Sequence, residues 1–157
     1  RRDYGEGVAY REYFASDAPM FPVPDTAARL RNKQQVLVPR FGTADDKPLA
    51  IASDFLRRNP AWHGRYGGRH FVVLTDRSGA HRVYRLDPGE RVAAWDGDRS
   101  VTLADGRRLA LAEAALGGDT ARHPRLPAHN AFWFGWRAAH PDTTLVGTAV
   151  SAEAPPR

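Results

Sequence analysis

Six histidines and no cysteine bound the chemistry open to this 157-residue chain. Neutral imidazole is the commonest metal ligand and carboxylates can complete its sphere, whereas the lack of thiols excludes disulfides, thiolate zinc sites, iron–sulfur clusters and cysteine nucleophiles. No two histidines stand four apart, so the helical His-Glu-x-x-His motif is missing. His63, His70 and His81 fall on neighbouring expected elements and form the candidate metal or small-ligand site of an enzyme of unknown reaction. His123, His129 and His140 surround an aromatic segment and form a second grouping. Ordinary hydrogen-bonded or exposed histidines are the preferred reading of all six.

Other reactive patterns have local explanations. None of Ser16, Ser53, Ser78, Ser100 or Ser151 sits in a Gly-x-Ser-x-Gly turn. Gly67-Gly68 precedes a strand pattern instead of opening a helix, so its amides are not arranged as a dinucleotide loop. Asp96, Asp98 and Asp105 adjoin glycines, and turn formation accounts for them without acid–base work. We expect no catalytic residue and no cofactor.

The elements that must position these residues are mostly strands. Gln34 to Phe41 and Lys47 to Ala52 read as a hairpin across Gly42 to Asp46. Ser53 or Asp54 caps a helical turn over Phe55 to Arg58, which Pro60 closes. Arg69 to Thr75 is a continuous apolar run suited to burial on both faces, and Ala80 to Leu86 alternates as its hairpin partner. Turn signals at Asp87-Pro88-Gly89, Asp96-Gly97-Asp98 and Ala104-Asp105-Gly106 separate strands at Arg91 to Trp95, Arg99 to Leu103 and Arg107 to Leu111. A last strand covers Thr143 to Val146. The fold class is α+β: a twisted antiparallel sheet or partly closed barrel, with one short helix and a C-terminal aromatic helix packed on it.

That aromatic segment, Ala131 to Ala139, holds two tryptophans, two phenylalanines and a glycine, and Pro141 stops it. As a helix it puts Phe132 and Trp136 on one face, while Gly135 admits another backbone. Its rings suffice for a core plug over the sheet, and any ring left exposed would meet a protein or a pigment or lipid. The organisation expected is an aromatic and proline-rich arm over residues 1–27, with a short helix open to Val8 through Phe14. One globular domain follows over 28–150, then a loose tail over 151–157.

The order and spacing of Ala28 to Leu37, Leu49 to Ala52, Trp62-His63, Gly67 to Leu74, and Phe132 to Trp136 with His140-Pro141-Asp142-Thr143 are distinctive. With them the chain resembles the bacterial and archaeal domain-of-unknown-function family numbered three-one-seven-nine, from about Tyr10 to Val146. The resemblance implies an exported or membrane-tethered protein and transfers no catalytic residue. Many members carry a Cys-Pro-x-Cys-like element and a later Asp-x-x-Thr-Gly-Ser-x-Trp element; Asp76 to Ala80 and the Asp96-Gly97-Asp98 region stand in their places here. An activity resting on those elements is not expected of this chain.

Function is then expected to lie in contact. The formal charge of +5 comes almost wholly from arginine, Lys33 and Lys47 being the only lysines. Arginines spread among acids favour a mixed solvated surface, or contact with acidic headgroups, over a nucleic-acid face. The chain begins at Arg1, which leaves room for an upstream anchor. We expect a non-catalytic accessory or assembly subunit of a membrane-associated complex of respiratory or photosynthetic type, on the extracytoplasmic (periplasmic) side. Other protein subunits are its partners, met through Arg1, Arg2, Tyr10, Tyr13, Phe14 and Phe21. Basic residues next to an anchor would argue for the cytoplasmic face instead.

Overall fold

The computed structural model describes residues 13–14, 34–41 and 47–147. Its strands are β1 (Tyr13–Phe14), β2 (Gln35–Pro39), β3 (Leu49–Ala52), β4 (Ala61–Tyr66), β5 (Arg69–Thr75) and β6 (His81–Leu86). They continue as β7 (Val92–Trp95), β8 (Ser100–Leu103), β9 (Arg108–Ala110), β10 (Arg125–Leu126), β11 (Ala128–Phe132) and β12 (Thr144–Val146). Two short helices, α1 (Ser53–Arg58) and α2 (Trp133–Ala139), interrupt them. The mostly antiparallel α+β class is as expected, and its three four-stranded sheets are open.

The chain divides into two compact units. The first joins Arg1–Asp17 to Asn59–Arg125, and the second joins Ala18–Arg58 to Leu126–Arg157. In the first unit the sheet orders are β1-β7-β8-β9 and β10-β6-β5-β4. Alternation along β5, β6 and β8, with a register shift between Val92 and Ala94 in β7, sends Val72, Leu74, Tyr84, Leu86, Val92, Trp95, Val101 and Leu103 into one core with Ala61 and Leu116. The opposite side of β5 is buried too, since Phe71 and Val73 are inaccessible. Trp62 meets Phe71 edge to face at 6.0 Å. Gly64, opposite Phe71 in the ladder, is what makes that arrangement possible: a Cβ there would overlap the Phe71 ring.

Of the N-terminal arm, only Tyr13 and Phe14 are described. They are extended and pair with Trp95 and Ala94, so the helix considered for Val8 to Phe14 is replaced at those two positions by a ladder. Arg1, Arg2, Tyr10 and Phe21 lie outside the described residues.

The second unit holds the sheet β11-β2-β3-β12 and both helices. The expected hairpin pairs Val36 with Ala52 and Leu37 with Ile51. Helix α1 carries Asp54 in its first turn and Arg57 and Arg58 in its last, the polarity that its dipole favours. Strand β12 runs parallel to β3, whereas β2 pairs antiparallel with both β3 and β11. The chain leaves β12 at Gly147, whose φ of +88° and close approach to Phe55 both exclude a side chain.

Candidate functional site

The register separates the three strand histidines. Cross-strand partners share a face of the sheet. His63 stands opposite Val72, so it shares the Val72 face with His70 two residues away. His81 stands opposite Thr75, on the other face, and the span from His70 to Thr75 along β5 is about 17 Å. The three imidazoles therefore do not converge. Two have structural bonds besides: His63 Nε2 accepts the Val92 amide at 3.0 Å, and His81 Nδ1 shares a hydrogen bond with Thr75 Oγ1 at 2.8 Å.

The turn aspartates close their own turns. Asp96 Oδ1 accepts the amides of Asp98, Arg99 and Ser100, and Oδ2 accepts the Ser100 hydroxyl. Burial pushes the Asp96 carboxyl up, but these donors together outweigh it and hold the group below its ordinary range. Asp76 is held low in the same way by Ser78 and Ala80, again against the effect of burial. Asp105 accepts the Arg107 amide and guanidinium.

A grouping that sequence inspection missed lies in the first unit, where Asp87, Glu90 and His123 bring their ligand atoms within 4.8 Å of one another. The turn joining β6 to β7 supplies the two acids. Its closure is reciprocal: the Glu90 amide donates to the Asp87 carbonyl and the Asp87 amide to Glu90 Oε1. His123 is 2% exposed, held through its amide to the Asp119 carbonyl, and its Nε2–H donates to Glu90 Oε1 at 2.7 Å. On the other carboxylate oxygen, Arg122 and Arg107 donate at 2.9 and 3.1 Å. Arg122 also reaches Asp87 at 3.0 Å. Burial alone would raise Glu90, yet the Asp87 amide, His123 and Arg122 keep its carboxyl below the usual range.

Two carboxylates and an imidazole are a reasonable ligand set for a divalent cation. Two guanidinium groups already balance the two acids, however, so a cation would have to displace an arginine. The arrangement acts most directly as a half-exposed ion-pair knot closing over the buried His123 ring.

The second unit carries a different grouping, at the junction of β11 and α2. Strand β11 runs two residue pairs into the expected helix: Ala131 pairs with Val36 and Phe132 with Gln35, and the Trp133 amide donates to the Gln34 carbonyl. The helix thus begins at Trp133, not Ala131, because the β2 edge has already taken the preceding backbone groups. Its four rings divide. Trp133 is buried and Trp136 half-buried, while Phe132 and Phe134 are 59% and 63% exposed, the large apolar side chains on the surface of the described residues. Among the described residues nothing lies within 4 Å of the place a Gly135 Cβ would take, so none of them makes the close backbone contact expected there.

Trp136 is the centre of a clasp that explains the His-Pro-Asp-Thr ending. Its Nε1–H donates to Thr143 Oγ1 at 2.9 Å, and that hydroxyl donates to the His140 carbonyl at 2.7 Å. The His140 ring stacks on the indole at 4.0 Å, and His129 meets it edge-on at 5.5 Å. Burial, then the nearby charges of Arg40 and His140, hold the His129 imidazole below its ordinary value.

A family model described as "Protein of unknown function (DUF3179)" matches residues 1–143. No curated protein and no solved structure matches the chain.

Proposed function

The chain belongs to the DUF3179 family, whose description names no activity, and from that premise we propose that it is a non-catalytic accessory subunit, docked at a membrane-associated assembly on its extracytoplasmic side. The observation that carries this reading is the outward pair Phe132 and Phe134, at 59% and 63% exposure. Large exposed rings beside a rigid clasp are what a docking surface requires, since the scaffold is ordered before contact is made. Further support comes from the reactive side chains, which are engaged locally: the turn aspartates by their own amides, and Glu90 by His123 and two arginines.

The test is attachment in the native setting. Full-length protein is expected to sediment with native membranes and to be lost from them when Phe132→Ser and Phe134→Ser are combined. A photo-reactive phenylalanine at position 134 is expected to crosslink to a defined membrane component. Protein that stays monomeric, does not sediment, and yields no crosslink would sink the proposal.

A second reading, a metal- or small-ligand-binding enzyme, draws on the Asp87, Glu90 and His123 group. Stoichiometric zinc, copper or iron in native protein, lost on His123→Gln, would favour it over the first.

A further inference from the structure

We draw no further inference here: the strongest candidate, the exposed aromatic patch of Phe132 and Phe134 at the β11–α2 junction, is an apolar face for which nothing in the structure shows what covers it.

Discussion

The Glu90 knot of the first unit and the aromatic junction of the second use their side chains in opposite ways. Around Glu90, a carboxylate is drawn partly inside against half-exposed arginines, and each of its oxygens has a donor. At the junction, apolar rings are brought outside and only one of four is buried. A buried charge is tolerable when its partners are complete, and removing one partner leaves the rest stranded. An exposed ring has no such dependence, so it can be altered without harm to the fold. The contrast teaches that the polar constellation is architectural and that the residues free to serve contact are the apolar ones.

The sharpest way to break that contrast is Glu90→Ala. It strands buried His123 beside two guanidinium groups and is expected to lower unfolding stability by about 1–3 kcal/mol, read by urea denaturation. Acid should reproduce part of the loss. A carboxyl held low in the folded state stabilises fully above its unfolded value, roughly 4.3, and that contribution goes as pH falls through the folded value. Stability from the knot should therefore be flat near neutrality and fall only in strong acid.

The junction should respond earlier in the same titration and by less. His129 is depressed in the fold, so the unfolded chain binds its proton more readily, and stability declines once pH drops below about 6.5. After correction for intrinsic rates, amides of α2 should exchange faster at pH 5.5 than at 7.5. His129→Gln should remove the difference; an unchanged difference would mean that the clasp does not sense this imidazole. Smallest of all is the expected effect of Phe132→Ser with Phe134→Ser on stability, within about 0.5 kcal/mol per site. A larger loss would show that those rings pack inside after all, and the contrast would collapse.

Much of the architecture was legible because hydrophobic period and turn chemistry agreed. The strand expected at Arg69 to Thr75 has those bounds, and the hairpins built on Asp76 to Gly79 and Asp96 to Asp98 follow from aspartates that bond their own turns. Strand β4 is absent from the expected elements, since Pro60 reads as closing the helix before it and Gly67-Gly68 as the turn after it. Gly64 is in fact a vacancy for the Phe71 ring, a reason that exists only once the strands have paired. Strand β11 was missed for another reason: Ala-His-Asn-Ala-Phe has little intrinsic strand preference and is held extended by β2. The Glu90–His123 bond joins residues 33 apart, with no local spacing to announce it. The aromatic segment drew notice at once, yet which of its rings face outward depended on a strand running two residues into the expected helix.

The parallel partnership of β12 with β3 carries a consequence for biosynthesis. Half of the sheet β11-β2-β3-β12 is encoded before residue 53 and half after residue 127, with the strands β4 to β10 translated between them. As the polypeptide emerges, β2 and β3 must wait with apolar edges open while that intervening material assembles. The final seal comes only when Thr144 to Val146 arrive, so a nascent chain arrested before that point would present a sticky, half-built platform to chaperones.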